Sequence, residues 1–201
     1  MPPELPYESL AEHQSTHGPS VLQVRGSLLA SSLATLRSNN LFDNYLQHLP
    51  ADQHERVLYV LAASWVPVDV AMAHYSACDA MQLSEPQLDA MGRNVSERIM
   101  GTFLGTLVKT ARLVITPKSV PLRQYPKLWE RLFVGGGCSV GTLGESGARI
   151  ESRGVPMFRY RYFRVAYAGV IRGASLMFRS NVQARVRKYS DESLVIDVNW
   201  A

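Results

Sequence analysis

Hydrophobic and polar positions change period along this chain, and the changes divide it into elements. In the last third, Val182, Ala184 and Val186 alternate with Gln183, Arg185 and Arg187, and Leu194, Ile196, Val198 and Trp200 alternate with Val195, Asp197 and Asn199. A period of two marks strands with one packed face, so residues 182–189 and 194–200 are predicted strands around Ser190-Asp191-Glu192-Ser193. Cys138–Leu143 and Ala148–Arg153 are a second predicted pair around Gly144-Glu145-Ser146-Gly147. The segment between the hairpins, Met157–Ser180, reads as a helix. It supplies the long crossover that brings two hairpins into one sheet and covers that sheet's apolar face.

Upstream the period is helical. Leu22, Leu28, Leu29, Leu33 and Leu36 fit a helix starting near Gly26 or Ser27 after a short extended lead-in. Short amphipathic sets follow at 41–49 and 51–62. Ser64-Trp65-Val66-Pro67 reads as a helix start, because proline is tolerated in the first turn. Ser84 and Gln87 fit a capping box. Behind it Leu88, Met91, Val95, Ile99, Leu104, Leu107, Val108 and Ala111 hold one stripe through a long helix that ends before Pro117. A shorter helix near 127–134 stops at Gly135-Gly136-Gly137. The predicted fold class is α+β, with an N-terminal helical part packed on a four-stranded antiparallel sheet made of two hairpins joined by a crossover helix. Residues 1–20 are a proline-punctuated polar lead, open to motion, with at most a short helix near 8–14. Residues 21–201 form a single domain, helical over 21–134 and hairpin-helix-hairpin over 135–201.

With 201 residues, 46% hydrophobic and 19% charged, the chain can bury one core. The N-terminus lacks a basic segment followed by an apolar one, and the most apolar helical stretch of the chain, residues 99–108, is far short of the roughly 20 residues that span a bilayer. A cytoplasmic location without membrane insertion is expected, and with it reduced thiols at Cys78 and Cys138. Net charge +4 hides an asymmetry: residues 1–100 carry 5 basic against 11 acidic side chains, and residues 101–201 carry 16 against 6. Attraction within the fold or between subunits accounts for this, as would an anionic partner for the basic half.

The order of elements, with Val24-Arg25-Gly26-Ser27, Ser64-Trp65-Val66-Pro67, Leu83-Ser84-Glu85, Pro126-Lys127-Leu128-Trp129 and Val195-Ile196-Asp197-Val198-Asn199-Trp200, resembles a myxobacterial family of about 200-residue paralogous proteins of unknown function. More distantly the architecture is similar to vinyl-reductase-type ligand-binding domains, heme nitric-oxide-binding sensors and the transport-particle subunits that help activate small GTPases. The resemblance implies a non-enzymatic sensor or adaptor binding a small molecule or a partner protein, as a homodimer. A scaffold or regulator of a small GTPase is the second reading. Nucleic-acid binding through the basic half is a less favoured third. Heme sensors of that group carry a proximal histidine near the helix entering the first hairpin and a Tyr-x-Ser-x-Arg motif. Residues 116–134 contain no histidine and the motif is missing, so no cofactor is assigned and heme is disfavoured, with an unidentified small molecule left open.

Individual residues add few chemical candidates. His74 and Cys78, four apart on a helix, could pair as base and thiol, but no third group orients them and core packing is favoured. Glu12, His13 and His17 suggest a metal set without a distant partner, and a solvated lead is the favoured account. The run Gly135–Gly141 lacks the Lys-Ser/Thr ending of a phosphate loop and precedes a strand, so it reads as a turn; Cys138 there is oxidisable if exposed. The crossover helix is richer. Arg161, Arg164, Arg172 and Arg179 form a stripe beside Tyr160 and Tyr162, a set suited to gripping an anion while rings stack on a planar ligand. A solvated outer face is the competing account.

Overall fold

A computed structural model describes residues 7–99, 125–176 and 181–201. The principal sheet has five antiparallel strands in the order β1-β5-β6-β8-β7: β1 (Tyr7–Gln14), β5 (Gly137–Leu143), β6 (Gly147–Arg153), β7 (Gln183–Tyr189) and β8 (Ser193–Asn199). The two expected hairpins form its centre and one edge. Its inner face follows the predicted alternation, and one row runs Val140, Ile150, Ile196, Val186 across four strands. The outer face is polar, with Arg149 and Arg187 both on Asp197 at 2.9 and 3.2 Å.

The fifth strand comes from the lead. Where at most a short helix was expected near 8–14, β1 pairs with β5, from Tyr7 opposite Leu143 to Gln14 opposite Gly137. None of its side chains is buried. Backbone hydrogen bonds to an otherwise open edge therefore hold it more than any apolar pattern does. The ring of Tyr7 lies over Gly141, where a side chain would collide with it, and His13 reaches Glu130 at 3.2 Å.

The helical part begins with α1 (Gly26–Ser38), which closes in a Schellman turn: Asn40 takes a positive φ of 56°, Leu41 N–H reaches the Leu36 carbonyl and Asn40 N–H that of Arg37. Then come α2 (Phe42–His48), a 3-10 turn at Ala51–Gln53, α3 (His54–Leu58), α4 (Val68–Ala80) and α5 (Glu85–Ile99). The remainder of the predicted long helix, to residue 111, lies outside the described residues. The capping box is half realised: Gln87 Oε1 accepts from Ser84 N–H at 2.9 Å, but it also takes the Ser84 hydroxyl, at 2.7 Å. The Trp65-Val66-Pro67 segment is β3 (Trp65–Pro67), a short strand that leads directly into α4, with Pro67 as the N-cap of that helix. It pairs with β2 (Gln23–Arg25), which also pairs with β4 (Phe133–Val134).

Helix α6 (Tyr125–Leu132) precedes β4, and the crossover consists of a 3-10 turn (Pro156–Arg159) and α7 (Arg161–Leu176). The predicted helix thus starts four residues late, because Pro156 and an extended Tyr160 break its first turn. The layers run from α2 and α3, through α1 and α4, to α5 and α7, and then the sheet. Between α5 and α7 the backbones nearly touch: a Cβ on Gly92 would strike the Ala166 carbonyl, one on Gly169 would meet Asp89, and one on Gly173 would meet Ser96. Among the described residues no helix is long and apolar enough to cross a membrane.

Candidate functional site

The stripe of arginines on α7 is distributed over three different neighbours. Arg161 donates to the Leu83 carbonyl at 2.8 Å, in the loop between α4 and α5. Arg164 turns back onto the carbonyls of Phe158 and Arg159 and lies 4.0 Å from the Tyr189 ring centre. Arg172 reaches Asp89 on α5 at 2.9 Å, and that carboxylate also holds Arg93 at 3.2 Å. Arg179 lies outside the described residues. Tyr160 is half-buried and packs at the edge of the core, whereas Tyr162 is buried and points into the helical layer. Among the described residues of the stripe, Arg161, Arg164 and Arg172 are thus each committed to a carbonyl or a carboxylate of their own fold. Loss of the Arg161 side chain is expected to cost about 1–2 kcal/mol, read by urea denaturation, because it leaves the Leu83 carbonyl without this donor.

The helical layer encloses a different set. His74 is fully buried on α4, and both ring nitrogens are engaged: Nδ1 with the Tyr45 hydroxyl at 2.8 Å and Nε2 with the Ser32 hydroxyl at 2.9 Å. Ser32 lies 3.5 Å from the Tyr162 hydroxyl of α7, and the Cys78 sulfur lies 3.7 Å from Nε2. Tyr162 N–H is capped by the Asp79 carboxylate at 2.6 Å. Four helices therefore meet around one imidazole. Burial lowers the His74 pKa to about 3 and raises those of Cys78, Tyr45 and Tyr162. An imidazolium–thiolate pair is opposed at both ends, since low polarity disfavours each charged form. The neighbours in sequence that suggested a base and thiol instead share a neutral hydrogen-bonded core.

A second polar cluster lies between α6, α7 and the inner sheet face. The hydroxyls of Tyr125 and Tyr167 are 2.5 Å apart, and Ser152 on β6 is 3.5 Å from Tyr125. Cys138 on β5 faces the same interior and is buried, not exposed; desolvation raises its pKa to about 12. The glycine run has its amides occupied: Gly135 N–H reaches Ser15 Oγ and Gly136 N–H the Gly18 carbonyl, with positive φ at both glycines. It is a turn clamped by the lead, with those two amides turned away from any phosphate. Glu12 and His13, adjacent on β1, face opposite sides of that strand.

No protein-family model and no curated sequence matches the chain. Solved structures do. Helices layered on one face of an antiparallel sheet, with a crossover helix between its hairpins, are the architecture of a set of heme domains. The fold is that of the H-NOX domains: the chain matches a structure from work on heme distortion in the H-NOX family with a TM-score of 0.54 at 11% identity, covering 88% of this chain and 94% of that one. A variant of the T. tengcongensis H-NOX matches with 0.51 at 12%, over 88% and 97%. A protein studied for tuning heme redox potential through porphyrin distortion matches with 0.53 at 9%, over 88% and 99%.

This finding corrects the assignment of no cofactor. Setting heme aside on a missing histidine and motif does not stand when the fold is shared with heme domains over nearly their whole length, and heme becomes a ligand to be tested. As arranged, the described residues do not fit it. His74 is the fully buried histidine and neither of its nitrogens is free, His54 is bonded to the Leu49 carbonyl and His13 to Glu130. The interior between helices and sheet is occupied by touching rings of Tyr75, Phe158, Phe163 and Tyr167. Sequence reading found His74 and Cys78 by their spacing but missed Tyr45 and Ser32, which are 29 and 42 positions away from His74.

Proposed function

We propose that this domain is a non-enzymatic sensor that binds a small molecule inside the helical layer and signals through the seating of α7. One observation carries the reading. Within the helical layer, Tyr45, His74, Ser32 and Tyr162 are linked in a chain that joins α2, α4, α1 and α7. Buried polar groups are stable when every partner is present and costly when one is lost. A small molecule competing for one of these hydrogen bonds would therefore be felt at the others, including Tyr162 at the start of the crossover helix. The shared fold with H-NOX domains supports the sensor reading, and heme is the first ligand class to try.

The test is native mass spectrometry of gently purified protein, followed by titration with hemin under reducing conditions. A retained small molecule is expected, or a saturable Soret absorbance distinct from that of free hemin. Protein that carries nothing and gives only the spectrum of free hemin would overturn the proposal.

A further inference from the structure

The polar cluster beneath α6 is separated from the edge of the sheet by one strand. Cys138 stands opposite His13 of β1 on one side and Ser152 of β6 on the other, so the three form one row on the inner face. Behind Cys138, which is 3% exposed, sit the hydroxyls of Ser152, Tyr125 and Tyr167. The strand that closes this row is lightly held. None of its side chains is buried, and a bulge between Ser9 and Ala11 interrupts its register. Beyond backbone bonds, its ties include the Tyr7 ring on Gly141, His13 on the exposed Glu130, and Ser15 Oγ, which accepts from Gly135 N–H at 3.2 Å. Farther along, the chain is fixed: Val21 N–H reaches the Gly154 carbonyl at 2.7 Å and Leu22 N–H that of Val134 at 2.8 Å. Between these two stretches Gly18 has a φ of 111° and open space where a side chain would stand, which suits a pivot.

We propose that β1 is a strap that opens as a unit while the rest of the domain stays folded, and that it gates a side entrance to Cys138, Ser152, Tyr125 and Tyr167. Segments with few buried apolar contacts and exposed backbone hydrogen bonds open at a lower free energy than the core they cover. With β1 swung away, Cys138 lies on the edge strand of the sheet. The burial that pushes its thiol up to about 12 is relieved by the same movement, so opening turns an inert thiol into a reactive one. Cys78 has no such cover. It is fully buried on α4 among His74, Ser32 and Tyr162, and reaching it requires the helical layer itself to come apart. The two cysteines therefore report two different openings of one molecule.

Labelling the whole chain with iodoacetamide, each thiol followed by peptide mass spectrometry, tests this. Cys138 is expected to react on the order of tenfold faster than Cys78, or more, because it needs only the local opening. Its rate is expected to change little in urea below the unfolding transition, whereas that of Cys78 rises steeply, since urea sensitivity scales with the surface exposed. Tyr7→Ala removes a half-exposed ring at the far end of β1, opposite Leu143 and on the other face from Cys138. It is expected to raise the Cys138 rate several-fold and leave that of Cys78 nearly unchanged. Equal rates with equal urea dependence would mean that both thiols wait for global unfolding, which overturns the proposal. A Cys138 rate indifferent to Tyr7→Ala would overturn it too, because the thiol would then be reached without β1 moving as a unit. Ligand retention does not enter this readout, so the strap and the sensor reading stand or fall separately.

Discussion

Replacing Gly92 with alanine is expected to destabilise the domain by about 1–3 kcal/mol, although the same change in an open helix stabilises by about 1 kcal/mol. The sign reverses because of what lies opposite. The added methyl would run into the carbonyl of Ala166 and against the Cα of Gly169 on the crossover helix, and neither can swing aside as a side chain would. To admit it, α5 and α7 must separate along the whole contact, which also loosens Gly173 against Ser96 and strains the Arg172–Asp89 pair. For a chain of this length each kcal/mol corresponds to about 2–4 °C in melting temperature. Thermal unfolding followed by circular dichroism measures the effect, with Glu97→Ala, an exposed change on the same helix, expected within about 0.5 kcal/mol of the parent. A Gly92→Ala protein as stable as the parent would mean that the two helices are not in backbone contact.

Stability is also expected to fall with acid in a way that depends on His74. The buried imidazole has a pKa of about 3, against 6.5 for the free side chain, because desolvation penalises its cation. The unfolded chain then binds a proton that the folded chain does not, so acid favours unfolding. The stabilisation is complete above pH 6.5 and is lost as pH falls towards 3, at about 1.4 kcal/mol per pH unit from this group. Urea denaturation at pH 7, 5.5 and 4.5 would show the slope. His74→Gln, which keeps hydrogen-bonding capacity and cannot titrate in this range, is expected to remove that part of it while costing stability at pH 7. An unchanged slope in the variant would mean that the imidazole is open to water.

Periodicity reported the parts of this fold that bury one face. The β5–β6 and β7–β8 hairpins appear where alternation and turn residues placed them, and so does most of the crossover helix. Three kinds of feature were silent. Strand β1 owes its shape to the open edge of β5, and Leu10 and Ala11 alone give it no readable pattern. The β3-β2-β4 sheet is built from strands two or three residues long, too short for any period to show. The chemistry of the core depends on distance in space: nothing near His74 in sequence announces Tyr45 or Ser32. The arginines on α7 were legible as a stripe, but their carbonyl partners at Leu83, Phe158 and Arg159 carry no side-chain signature, so solvated face and ligand grip looked alike.

The N-terminal strand is worth more to the molecule than its exposed side chains suggest. With β1 in place, every backbone group it pairs on β5 is already spoken for. A chain begun at residue 15 would lay bare Gly137–Leu143 as an uncharged strand edge beside the apolar row of the sheet. Such a surface recruits extended segments from any neighbour. The eight residues from Tyr7 to Gln14 thus cover an edge that would otherwise be open to pairing, and trimming them is expected to be felt as loss of solubility.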